Sequence, residues 1–244
     1  MNLIIDIGNS RIKLAIFNHG DLISNVTLDE LKTDYLQMLL DEHPDLNKVI
    51  VSSVRDYQPE LKTFFQNSFQ HFIELDAQTP VPIINKYETP ETLGKDRLAA
   101  AVGATVLFPN KNVLVIDAGT AITYEIITAN NEYLGGNISP GLETRFKSLN
   151  QFTEKLPMIS PSDDFQMIGT TTESAIRAGV QLGILFEVEQ YTKYFNTIYK
   201  NLEIIITGGD AKFFDKKLKN SIFVHFILTL IGLNRILEYN VKET

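Results

Sequence analysis

The chain has 244 residues, 44% of them hydrophobic and 21% charged, which is enough apolar material for one large globular domain or two modest ones. With 22 Lys and Arg against 30 Asp and Glu the net charge is −8, which argues against bulk binding to nucleic acid or to an anionic membrane. Cysteine is absent, so disulfides, thiolate metal sites and a cysteine nucleophile are excluded, and a reducing, cytoplasmic setting is expected.

The segment Leu3-Ile4-Ile5-Asp6-Ile7-Gly8-Asn9-Ser10 predicts a buried strand running into a tight turn. Ile12, Leu14 and Ile16 then give the return strand one apolar face. No basic segment precedes the first strand, so no signal peptide is expected. Leu31 to Leu40 has helical spacing, Lys48 to Val54 is a buried strand, Gln58 to Phe69 reads as a helix and Ile73 to Leu75 as a short strand. Leu98, Ala101, Val102 and Val106 form a helical stripe that starts just after Asp96-Arg97. Phe108-Pro109-Asn110-Lys111-Asn112 is the expected boundary between an N-terminal lobe, 1–112, and a C-terminal lobe, 113–244. Leu114-Val115-Ile116-Asp117-Ala118-Gly119-Thr120 repeats the opening strand and turn, and its return strand, Thr123 to Ile127, is shifted in phase by one residue. Thr171 to about Tyr199 is mostly helical, with a break expected near Gly183, and Leu202 to Gly209 is a strand entering a glycine turn. The apolar stretch from Ile222 to Leu233, interrupted by His225 and Thr229, is short of the ~18–20 residues that a membrane span needs. The pattern predicts an α/β protein of two related lobes, each with a mixed sheet flanked by helices.

The Asp6 to Ser10 turn has a chemical use. Glycine lets the backbone approach a ligand, successive N–H groups form a concave site for phosphate oxygens, and Lys13 adds a point charge. Asp6 at the strand end suits a hydrated Mg²⁺, which keeps several waters and uses few carboxylates. An ordinary β-turn has the same composition, and it is the second copy behind Asp117 that favours a ligand. Thr207-Gly208-Gly209 and Gly135 to Gly141 read either as nucleotide-side loops or as packed turns. Tyr87-Glu88-Thr89-Pro90-Glu91-Thr92-Leu93-Gly94-Lys95-Asp96-Arg97 sets a carboxylate beside a guanidinium at a helix start. There Arg97 would grip a carboxylate bidentately and Asp96 would accept a hydroxyl proton; a solvated helix N-terminus fits the spacing equally well. No phosphate loop of the Gly-Lys-Ser/Thr type, dinucleotide fingerprint or serine elbow is present, and the four histidines have no zinc spacing.

Two Asp-x-Gly hairpins followed by a strand and a Gly-Gly turn resemble the actin, sugar kinase and Hsp70 superfamily, and with it the ribonuclease H-like, actin-like ATPase fold. Over nearly the whole chain the residues resemble the type III pantothenate kinase family. The match rests on Asp6 to Ser10, on Tyr87 to Arg97, on Asp117 to Ala121 with Gly135 to Gly141, on Gly169 to Thr172 and on Thr207 to Gly209. Tyr87 to Arg97 is the specific segment, fitting Tyr-x-x-Pro-x-x-Leu-Gly-x-Asp-Arg throughout. The resemblance implies phosphoryl transfer from ATP to the hydroxyl of pantothenate, the first step of coenzyme A biosynthesis, with Asp96 as proton acceptor. It implies a pantothenate site of Tyr87, Gly94, Lys95, Asp96, Arg97 and Thr172. ATP would lie on Asp6, Ile7, Gly8, Asn9, Ser10, Arg11, Ile12, Lys13 and Thr120. Mg²⁺ would travel with ATP near Asp6, and Asp117 would hold a monovalent cation, K⁺ or NH₄⁺. A homodimer is implied as well, with no nucleic-acid or membrane partner. Two positions depart from the pattern: Thr171 stands where the family has Asn, and Glu154 where it has Ala. A non-catalytic regulatory relative, a nucleotide-dependent clamp or filament, and a phosphatase of the same superfamily are the alternative readings.

Overall fold

The computed structural model describes residues 1–218 and 222–242. The expected second lobe, 113–244, also takes in 219–221 and 243–244, which lie outside the described residues. The chain divides into two compact units. The first holds Met1–Pro109, Asn131–Tyr133 and the stretch from Ile227 onward, and the second holds Asn110–Asn130 and Leu134–Phe226.

The first unit opens with β1 (Asn2–Ile7), β2 (Ile12–Asn18), β3 (Asp21–Leu28), α1 (Thr33–Glu42), β4 (Lys48–Ser53), α2 (Pro59–Ser68) and β5 (His71–Glu74). Its sheet runs β3-β2-β1-β4-β5, antiparallel from β1 through β3 and parallel from β1 to β5. Leu3, Ile5, Ile7, Leu14, Val49 and Val51 point to one face and pack with Leu36, Leu39, Leu61 and Phe65 of α1 and α2. The alternate residues of β1 therefore point to the other face. That face is covered by α3 (Lys95–Leu107) and α7 (Leu228–Lys242). There the buried Asn2 Nδ2 donates to Asn234 Oδ1 at 2.8 Å.

In the second unit β7 (Val113–Ala118), β8 (Ala121–Ile127), β9 (Glu132–Pro140), α4 (Leu142–Gln151), α5 (Thr172–Ile198), β10 (Glu203–Thr207), α6 (Ala211–Lys217) and β11 (Phe223–Val224) follow in chain order. Its strand order β9-β8-β7-β10-β11 matches that of the first sheet, so the repeat read from two hairpins extends to whole sheets. Leu114, Ile116, Ala118, Ile122, Tyr124 and Ile126 form the core with Phe146 of α4, Ile184 and Val188 of α5, and Phe214 of α6. In addition β6 (Ile84–Asn85) pairs in parallel with the first residues of β9, which belong to the first unit. No helix among the described residues is long and apolar enough to cross a membrane.

Several elements differ from the sequence reading. The 27-residue helix α5 runs through Gly183 without a break, because open space surrounds that glycine and nothing packs there to force a kink. Gly135 to Gly141 is mainly the strand β9 rather than a loop. The chain from Ile227 does not stay with the second unit: α7 returns to the first and lies against α3. The two helices meet at glycines. A Cβ on Gly232 would overlap the Ala99 carbonyl, and one on Gly103 would overlap the Leu228 carbonyl. Gly232→Ala is therefore expected to force the helices apart and cost about 1–3 kcal/mol, a fall of roughly 3–10 °C in melting temperature. Calorimetric melting checks this, and an unchanged Tm would contradict the close approach.

Candidate active site

Both Asp-x-Gly turns leave the carboxyl end of the central strand of their sheet, β1 and β7. In the first, Gly8 N–H donates to the Arg11 carbonyl at 3.0 Å and Val54 N–H to the Ile7 carbonyl at 3.1 Å. Asp6 lies in register with Lys13 on β2 and Ser52 on β4, on the face covered by α3 and α7. It is 8% exposed, and its Oδ1 makes no hydrogen bond. Burial pushes its carboxyl up to about 6, Lys13 draws it back, and the charge of Asp96 raises it further. Asp6 and Asp96 thus act on the same small region of the first unit. Asn9, Ser10 and Arg11 are exposed on the turn, with Arg11 engaged by Asp29 at 2.5 Å; Ile7 and Ile12 are buried below it.

The Tyr87 to Arg97 segment folds as the start of α3. Gly94 is the N-cap, and Asp96 in the first turn accepts the Arg97 N–H at 2.8 Å, where the helix dipole favours a carboxylate. Gly94 lets these side chains come close: a Cβ there would sit 2.6 Å from Asp96 Oδ1 and would displace that carboxylate. Arg97 is 6% exposed, with its Cζ 5.5 Å from the centroid of the Tyr87 ring. Lys95 and Asp96 are half-buried beside it. A guanidinium and a carboxylate, both backed by protein and neighbouring a phosphate-type turn, suit a substrate that carries a carboxylate and a hydroxyl.

In the second unit Asp117 pairs in register with Thr123, whereas Asp6 pairs with Lys13. The second turn closes one residue sooner, with Gly119 N–H donating to the Ala121 carbonyl at 2.9 Å, and this is the phase shift seen in the sequence. The glycine segments that were ambiguous in the sequence converge on this turn. Gly141 N–H and Thr144 Oγ1 both donate to the Thr120 carbonyl, at 3.0 and 2.6 Å. Gly208, at φ +95°, presses against Ala118 and Asp117; a Cβ there would lie 2.5 Å from Asp117 Oδ1. Asp210 N–H donates to the Ala118 carbonyl at 2.9 Å, and burial followed by the charge of Glu143 raises its carboxyl. Thr172 is the exposed first residue of α5.

The profile of the type III pantothenate kinase family matches residues 2–194. The chain belongs to that family. It is 49% identical over 242 residues to the type III pantothenate kinase of Phocaeicola vulgatus, covering 99% of this chain and 100% of the relative. The Bacteroides fragilis type III pantothenate kinase is 45% identical over 240 residues, 98% of each chain. Among solved structures, a glucokinase from an Antarctic psychrotroph superposes with a TM-score of 0.56 over 98% of each chain at 13% identity, a likeness of fold alone. The fold is therefore the two-lobed α/β architecture of the actin-like ATPases and sugar kinases.

Within this family member, Thr171 in the usual Asn position has a local explanation. It is the N-cap of α5, accepting the Ser174 N–H at 3.1 Å in a capping box, and Thr and Asn both perform that task. Glu154 lies exposed in the segment after α4, and nothing in the structure explains it. Sequence reading missed Ser52, Thr144 and Tyr133. Each reaches its site through strand register or a long-range contact, and no local motif marks it. Among the described residues no group of three or more His, Asp or Glu side chains converges to hold a metal.

The buried carboxyl of Asp6 yields a signed expectation. Its folded pKa, about 6, lies above the unfolded value of 3.8, so its contribution to stability is present below the unfolded pKa and lost as pH rises through 6. In metal-free buffer, Asp6→Asn is expected to flatten the Tm profile between pH 4 and 7 and to melt about 2–4 °C above the native protein at neutral pH. A lower Tm for Asp6→Asn at neutral pH would mean that the carboxylate is satisfied in the fold.

Proposed function

We propose that the protein is an ATP-dependent pantothenate kinase whose pantothenate site is built on the N-terminus of α3. The observation that carries this reading is the Gly94 to Arg97 geometry, in which one cap without a Cβ leaves Asp96 and Arg97 side by side. Arg97 anchors the pantothenate carboxylate, with Tyr87, Gly94 and Lys95 lining the site. Asp96 accepts the proton of the attacking hydroxyl as its oxygen bonds to the γ-phosphorus and the bond to the β-phosphate oxygen breaks, releasing ADP. The turn from Asp6 to Lys13 holds the phosphates through backbone N–H groups and the Lys13 ammonium. Thr120, fixed by Gly141 and Thr144, contacts the nucleotide. Positioning and charge neutralisation carry most of the rate.

Two ions belong to this reading. The unpartnered Asp6 Oδ1 fits a carboxylate that holds Mg²⁺ through water, and the ion would neutralise charge developing on the phosphates. Asp117, at the carboxyl end of β7, is the carboxylate that would hold a monovalent cation, K⁺ or NH₄⁺. A homodimer is part of the same reading, and Phe186, Tyr194 and Ile198, exposed along one face of α5, are the surface it would cover. A cytoplasmic location goes with it, since that is where ATP and pantothenate meet.

The test is ADP release with ATP and Mg²⁺, with and without pantothenate, in K⁺ and then Na⁺ buffer, beside Asp96→Asn. Expected is turnover that needs pantothenate and K⁺ and falls by about 10²–10⁴-fold in the variant. ADP release indifferent to pantothenate would move the reading to a superfamily phosphatase or clamp. Nucleotide binding without turnover would leave a regulatory relative.

A further inference from the structure

Tyr133 lies outside every motif in the sequence, yet it is fully buried. It stands near the start of β9, just after the turn in which Asn131 takes φ 58°. Asn131–Tyr133 cluster with the first unit although the chain on either side of them belongs to the second. Short backbone pairing fastens them there. Ile84 N–H donates to the Asn131 carbonyl and Lys86 N–H to the Tyr133 carbonyl, both at 2.9 Å, and Asn85 lies in register with Tyr133. Asn85 Oδ1 in turn accepts the Tyr87 N–H at 3.0 Å. The Tyr133 ring stacks on the Tyr87 ring, with centroids 6.2 Å apart and planes 28° from parallel. Tyr87 carries the Arg97 guanidinium over its own ring.

We propose that Tyr133 is a positioning residue for the carboxylate anchor: it fixes the Tyr87 ring, and through that ring the plane of the Arg97 guanidinium. The inference rests on the reading of Arg97 as the pantothenate anchor. Its physical basis is that bidentate recognition of a carboxylate depends on the orientation of a planar fork, which a stacked aromatic pair with one ring buried holds at little entropic cost. Offset aromatic pairs and cation–π contacts of this kind each contribute modestly, and in series they set one angle.

Tyr133→Leu and Tyr133→Met remove the ring and keep apolar bulk. For Leu or Met, KM for pantothenate is expected to rise about fivefold, with kcat and KM for ATP within about twofold of native. If the Leu variant does not fold, the Met variant decides. Because the chain has no tryptophan, Tyr87→Trp places a single fluorophore at the stack, and its anisotropy is expected to drop when Tyr133→Leu or Tyr133→Met is added. Equal shifts of KM for ATP and pantothenate, or an unchanged KM for pantothenate, would overturn the proposal. If the native protein fails to turn over pantothenate, the functional reading falls, and the anisotropy of Trp at position 87 still decides whether Tyr133 positions the ring.

Discussion

A carboxylate at the end of a buried strand is expensive unless something answers its charge, and the first unit is arranged around one. Every residue of β1 is buried, and the only acid among them is Asp6. Its Oδ1 is left without a partner while Asp96, a second acid, adds to its burden. Lys13 offsets part of the cost from the neighbouring strand. A fold that wanted only stability would place an apolar residue here. Groups held out of equilibrium with their surroundings gather where a ligand completes them.

The second unit uses the same strand order for a different purpose. Where the first turn faces Asp6 with a lysine, the second faces Asp117 with Thr123, and the structure around it is supplied by neighbouring segments. Gly208 comes in against the aspartate, Gly141 and Thr144 hold the Thr120 carbonyl, and Asp210 N–H closes on Ala118. The two hairpins share one strand pattern, but the first pairs its aspartate with a lysine and the second, one residue shorter, pairs its aspartate with a threonine.

Local pattern made much of this legible. The apolar runs marked β1, β4, β7 and β10, and the one-residue phase difference between the return strands followed from counting alone. The start of α3 was readable because a cap, an acid and a stripe of apolar residues lie consecutively. Other features have no local signature. Strand β3, Asp21–Leu28, is an edge strand exposed along most of its length, so nothing in it alternates. The return of α7 to the first unit depends on two glycines more than a hundred residues apart, Gly103 and Gly232, and their fit appears only when both helices are in place. Gly183 looked like a helix break, but a glycine on an open face of a long helix costs propensity without bending it. Tyr133 was invisible for the same reason as α7, since its partner Tyr87 lies on a different element of the fold.

The proposed function has Arg97 recognise the pantothenate carboxylate while other residues hold the nucleotide. Calorimetric titration of pantothenate, and separately of a non-hydrolysable ATP analogue, into the native protein and Arg97→Lys separates the two. The variant keeps the charge and loses the planar fork. The predicted result is pantothenate affinity weakened by roughly tenfold or more, with affinity for the analogue unchanged. Unchanged pantothenate affinity, or loss confined to the analogue, would contradict it.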